Sequence, residues 1–204
     1  MLADALDCDA YLVSLREAAG AEHVAVHAYA LLPTQVCLLV TPQDATALSA
    51  MQQAIGRRFV SAYNRRHRLS GPLWQGRFGA AVVETDAYFL ACLRFVELAP
   101  VRAGLVERAE DWPWSSAAHH CGRRRSPGIA EHRAYWATGN TPFEREIAHA
   151  QLLEKPFDPS INERLANAAL HGWALGSAAF IEAMGGLAMR RLAPLPRGRR
   201  AKTP

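Results

Sequence analysis

The chain has 204 residues, 50% of them hydrophobic and 21% charged, with a formal net charge of +4. That balance supports a packed core and argues against disorder, and no apolar run approaches the roughly 20 residues of a membrane span. Four well-separated cysteines, Cys8, Cys37, Cys92 and Cys121, form no C-x-x-C pair, so neither a disulfide framework nor a zinc knuckle is expected. Reduced thiols and an acidic rather than signal-like start point to a cytoplasmic protein without membrane partners.

In chain order, Asp4 to Ala19 reads as a short helix with Leu6, Ala10, Val13 and Leu12 facing inward. Two strands follow, His23 to Leu32 and Gln35 to Thr41, joined by a tight Pro33-Thr34 connection. A second helix runs from Pro42 to about His67, with Leu48, Met51, Ile55, Phe59 and Ala62 as its buried stripe, and Ser70-Gly71-Pro72 ends it. Phe78 to Glu84 reads as a further strand, and Asp86 as the N-cap of a helix reaching Leu98. The order of elements predicts an α+β fold. Residues 1–122 form the expected core, 123–140 (beginning RRRSPG) a linker region, 141–190 a helical region of three short helices, and 191–204 a basic disordered tail.

Charge is distributed unevenly. No acidic residue occurs between Asp44 and Glu84, yet Arg57, Arg58, Arg65, Arg66, Arg68 and Arg77 all fall there. A solvated helix face ordinarily mixes signs, because like charges one turn apart repel. Trp74 and Phe78 flank Arg77, and aromatic faces beside guanidinium groups suit stacking on unpaired bases with phosphate contact, although both rings could equally belong to the core. After Glu182 the tail carries only basic charge, including Arg197, Arg199 and Arg200.

HAYALLPTQVCLLVTP, RRFVSAYNRRH, GPLWQGRF, AYFLACLRFVELAPVRAGLV and DWPWSS stand in an order and spacing that resemble the REP-associated tyrosine transposases. The resemblance covers roughly residues 8 to 200. It implies a ferredoxin-like HUH-endonuclease core with a C-terminal helical appendage and basic tail. It also implies a divalent metal such as Mg²⁺ or Mn²⁺, and recognition of single-stranded or hairpin palindromic DNA. Arg94 and Arg102, in the FVELAPVRAG segment, join the arginines above as expected DNA contacts. Relatives begin with a further strand and an S-R-G-N-like turn ahead of the helix at Met1, so the first strand of the core is expected to be missing.

The same resemblance shows what chemistry is lost. Where the family reads P-N-H-V-H-L-L-V, with two imidazoles on one face of a strand holding the metal, this chain has Pro33-Thr34-Gln35-Val36-Cys37-Leu38-Leu39-Val40. Where it reads R-Y-I-E-L-N-P, with the tyrosine as nucleophile, this chain has Phe95, and Ala99 replaces the asparagine. Tyr63 and Tyr88 are weak substitutes. No bound metal or cofactor is therefore expected, and no catalytic residue is intact. His119-His120-Cys121 reads as a surface loop and not as a ligand set.

The leading expectation is a transposase-like DNA-binding protein without cleavage activity, with a homodimer as a candidate assembly. Two alternatives stand beside it. One is an active transposase using Gln35, Cys37 or His27 as an unorthodox ligand, although a thiolate suits Mg²⁺ and Mn²⁺ poorly. The other is an oligomerisation module or remnant without a DNA role.

Overall fold

The computed structural model describes residues 2–76, 78–187 and 191–193. Contacts divide the chain into two compact units: Met1–Gly76 with Leu90–Pro156, and Arg77–Phe89 with Phe157–Pro204. The fold is α+β.

Unit 1 opens with α1, Ala5–Ala21, whose N-cap Asp4 accepts a hydrogen bond from the Asp7 N–H at 3.1 Å. The buried side of α1 is Cys8, Tyr11, Leu15, Ala18 and Ala19, whereas Leu6, at 65% exposure, Val13 and Ala10 face outward. The expected stripe was thus turned about the helix axis. The larger Tyr11 and Leu15 side chains take the core, and Asp4 and Asp7 are drawn to Arg66 on the facing helix.

Strands β1, Val24–Leu31, and β2, Val36–Pro42, form an antiparallel hairpin in register from Val24↔Pro42 to Leu31↔Val36. The turn closes through Leu32 N–H to the Gln35 carbonyl at 2.8 Å. A bulge between Val26 and Ala28 takes His27 out of register. Val36, Leu38 and Val40 pack against the main hydrophobic cluster, so alternation sends Cys37, Leu39 and Thr41 to the opposite face. The outer edge of β1 is covered by the DWPWSS segment and by Ile129–Ala130, through Leu31 N–H to Trp114 O (2.9 Å) and Ala130 N–H to Val26 O (2.8 Å). Among the described residues no segment pairs with the outer edge of β2.

The next helical run is α2, Ala47–Ile55, a π turn, Gly56–Val60, and α3, Ser61–His67. Ala47, Met51, Ile55, Phe59 and Tyr63 are its buried side, each four residues after the last. On an ideal α-helix such spacing drifts by about 40° per step. The wider π turn takes up part of that drift, which is why Tyr63 is buried and Ala62 is exposed. Phe59, Met51 and Ile55 are almost wholly enclosed, and burial of each contributes about 1.5–3 kcal/mol.

Helix α4, Thr85–Glu97, carries the chain from the second unit into the first. It is followed by α5, Ala99–Arg102, a 3-10 turn at Ala109–Asp111, and α6, Ala117–His120. Segment 123–140, expected to be a linker, packs within unit 1: it contains α7, Arg133–Trp136, and the buried Tyr135. Helix α8, Pro142–Glu154, starts with a Thr141/Glu144 capping box.

In unit 2, α9, Pro159–His171, and α10, Ala178–Leu187, complete the three helices expected beyond residue 141. The strand expected at Phe78–Glu84 is not formed. This segment makes a single parallel bridge, Val83 with Leu175, and Phe78 and Val82 are 45% exposed. A strand needs a neighbour to take up its backbone groups, and the segment instead lies against α9, where a Cβ on Gly79 would come within 2.6 Å of the Ala169 carbonyl. Among the described residues no helix is long and apolar enough to cross a membrane. Of the expected basic tail, residues 194–204, with Arg197, Arg199 and Arg200, lie outside the described residues, as does Arg77, whereas Leu192 is buried and its carbonyl accepts from the Ala174 N–H at 2.8 Å.

Candidate functional site

Three groups of side chains in unit 1 carry the chemistry. The first gathers around Arg102. Its guanidinium lies 4.1 Å from the centre of the Phe95 ring, and its Nη2 donates to the Phe95 carbonyl at 2.6 Å. Burial pushes the Cys37 thiol up, and the nearby Arg102 charge partly offsets it. Two positions that the resemblance ties to metal and nucleophile, Cys37 on β2 and Phe95 on α4, thus share one arginine. Gln35 is exposed in the hairpin turn just ahead of β2, and Ala99 is buried. His27 offers no vacant nitrogen to a metal at this corner: Nδ1 meets the Ala130 carbonyl at 2.6 Å and Nε2 the Thr41 hydroxyl at 2.8 Å. Tyr63 is buried between Phe59 and His67, with ring centres 5.8 and 4.2 Å away, and in unit 2 the Tyr88 hydroxyl accepts from Arg164 at 3.1 Å.

The second group is the arginine set on the α2–α3 run, and it is divided in two. Arg58 pairs with Glu17 at 2.6 Å, and Arg66 bridges Asp4, at 2.5 Å, and the buried Asp7. Burial alone would raise the Asp7 carboxyl. Hydrogen bonds from His67, the Ala3 N–H and Arg66 outweigh it and hold Asp7 below its usual range. Acids absent from the local sequence are therefore supplied by α1. Arg57, Arg65 and Arg68 are exposed and, among the described residues, make no ion pair. Trp74 packs on Tyr11 and Phe59, with ring centres 6.1 and 6.2 Å away, and serves the core. Phe78, in unit 2, is exposed. Arg94 is half-buried and donates to the Lys155 carbonyl at 2.6 Å, which commits it to the fold.

The third group was not foreseen. His119 and His120 do not lie in a surface loop: both are buried on α6. They do not converge on one partner. His119 Nδ1 accepts from the Ser126 N–H at 3.2 Å, whereas His120 Nδ1 lies 2.6 Å from Oε1 of Glu97. The other carboxylate oxygen, Oε2, lies 2.6 Å from Nε2 of His149 on α8, and the Ser116 hydroxyl donates to Oε1 at 2.6 Å. Glu97 is 0% exposed, and both imidazoles are 2% exposed. Burial would raise the Glu97 carboxyl, but the charges and hydrogen bonds of His120 and His149 outweigh it and hold the group ionised. Two nearby arginines are neutralised, Arg123 by Glu110 at 3.2 Å and Arg125 by Glu146 at 3.6 Å. Within this group the ligand atoms of Glu97, His120 and His149 lie within 4.8 Å of one another and could hold a metal ion.

A cavity of about 360 Å³ lies between α1, β1 and the segment 113–129, with Arg16, Arg124 and Arg125 on its wall beside Tyr29 and Trp114. Arg125 pairs with Glu146 and Arg124 is tied to the Pro113 carbonyl at 2.6 Å; among the described residues neither Arg124 nor Arg16 makes an ion pair. Comparison with family models, with characterised proteins and with solved structures finds no match to this chain.

Proposed function

We propose that this chain is a transposase-like DNA-binding protein that recognises single-stranded or hairpin DNA and does not cut it. The observation that carries the reading is the division of the arginines. Acids on α1 neutralise Arg58 and Arg66 and leave Arg57, Arg65 and Arg68 uncompensated on the surface of the same helical run. Phosphate is the counter-charge that such a surface suits, and the counterions released on binding make the affinity salt-dependent. The fold is α+β, with α1 and the α2–α3 run packed on one face of a two-stranded sheet; that sheet is smaller than a ferredoxin-like core requires, so the reading is carried by the arginines and the sequence resemblance.

The absence of cleavage follows from the corner at Arg102. Phe95 offers a ring with no oxygen to attack phosphorus, and the strand beside it presents a half-buried thiol whose protonated form is favoured. In an active enzyme the metal would polarise the scissile phosphate, but Gln35 and Cys37 do not form the imidazole pair that would hold it. The reading in which His27 serves as an unorthodox ligand is disfavoured by the hydrogen bonds on both of its nitrogens.

A mobility-shift series over salt concentration tests the binding. The unmodified chain should retain a labelled hairpin oligonucleotide, and the Arg57→Ala, Arg65→Ala, Arg68→Ala triple variant should bind more weakly. Its dependence of log Kd on log salt should be shallower by about two units, at roughly 0.7 per lost single-strand phosphate contact. An unaltered slope would remove these three residues from the interface.

A further inference from the structure

We propose that Glu97, His120 and His149 form a closed structural site for one zinc-class divalent cation, independent of the DNA-binding reading. The three ligands come from α4, α6 and α8, so a single ion would tie together three helical elements of unit 1. Each imidazole addresses a different oxygen of the carboxylate, at 2.6 Å, and one ligand atom from each of the three residues lies within 4.8 Å of the other two. Movements of a few tenths of an ångström would open the space among them to ligand distances of about 2.0–2.2 Å.

The chemistry of the donors selects the ion. Two imidazole nitrogens and one carboxylate suit Zn²⁺, whereas Mg²⁺ demands hard oxygen ligands and retains water. The surroundings resemble the outer shell of a metal centre. Ser116 donates to Oε1 at 2.6 Å, the Tyr135 hydroxyl donates to the His120 carbonyl at 3.1 Å, and the Tyr135 ring stands edge-on to His120 at 4.9 Å. Ligands exposed by 2% or less leave no face open to substrate, so the ion would act on folding and not as a catalyst. A dry carboxylate also requires nearby positive charge, which a divalent ion held by all three side chains supplies.

The purified full-length chain, stripped with a chelator and dialysed, should be titrated with Co²⁺ and then with Zn²⁺. With both Glu97 oxygens and two imidazoles as the four donor atoms, the expected result is one equivalent bound per chain, intense visible absorption of four-coordinate Co²⁺ that Zn²⁺ abolishes, and a melting temperature raised by Zn²⁺. His149→Gln preserves volume and hydrogen bonding but removes an imidazole ligand, and it should weaken Co²⁺ binding by at least about a hundredfold. Two results would overturn the proposal. One is a stripped chain that takes up no Co²⁺ and melts at the same temperature with or without Zn²⁺, which leaves a proton-linked Glu–His–His network. The other is Co²⁺ binding that survives unchanged in His149→Gln, which places the ion elsewhere.

Discussion

Phe95 and Glu97 stand two residues apart near the end of α4 and meet opposite environments. Phe95 is half-buried under Arg102, at a corner where the resemblance expects a nucleophile and a metal and where neither an attacking oxygen nor an imidazole pair remains. Glu97 is fully enclosed and touches two imidazoles and a hydroxyl. The contrast is between an enclosed carboxylate that joins three helices through two imidazoles and a half-buried corner with neither an attacking oxygen nor an imidazole pair. Binding and folding can therefore be perturbed separately.

The sharpest break in that comparison is Glu97→Ala. It leaves His120, His149 and Ser116 facing an empty, dry space and should cost about 3–5 kcal/mol, enough to unfold a marginal domain. Phe95→Ala, two residues away, should cost less because the ring is only half-buried. Urea titrations of the two variants side by side would show equal losses if the contrast were unsound.

Trp114 comes next. In the DWPWSS segment the Trp114 ring packs against the core, with its Nε1 donating to Asp9 at 3.3 Å. It is half-buried, so Trp114→Ala should cost about 1.5–3 kcal/mol, less than the 3–5 of a fully enclosed ring. Unchanged thermal denaturation would show that the segment is held by its backbone bonds to β1 alone.

A smaller effect lies in the acid limb. The Arg66 hydrogen bond and the Asp7 N–H lower the Asp4 carboxyl to about 2. A carboxyl lowered on folding contributes fully above its unfolded value near 3.9, and that contribution is lost as pH falls toward 2. Asp4→Asn should therefore flatten the pH dependence of stability between about pH 4 and 2. A slope identical to that of the unmodified chain would mean that Asp7 alone anchors Arg66.

What could be read from the sequence was local. The hairpin announced itself through VCLLV and the Pro33-Thr34 connection, and the α2–α3 run through Met51, Ile55 and Phe59, because neighbours along the chain set those patterns. The Glu97 centre was invisible for the opposite reason. Its outer members are 52 residues apart, and each histidine alone resembles a surface residue. His119-His120 beside Arg123, Arg124 and Arg125 looked like a solvated loop, and only the fold reveals Glu110 and Glu146 neutralising two of those arginines. The strand at 78–84 failed because its one bridge, to Leu175, does not extend into a ladder, and the α1 stripe failed because apolar residues mark both sides of the helix, Leu6 and Val13 outward and Tyr11 and Leu15 inward.

Binding without cleavage combines the exposed arginines of the α2–α3 run with a corner at Arg102 that holds neither an attacking oxygen nor an imidazole pair. A labelled hairpin incubated with Mn²⁺ and the unmodified chain, beside the Gln35→His, Cys37→His, Phe95→Tyr triple variant, examines it on paired native and denaturing gels. The account predicts a shifted complex on the native gel and no covalent protein–DNA band from the unmodified chain under denaturing conditions. A covalent band from the unmodified chain would contradict it.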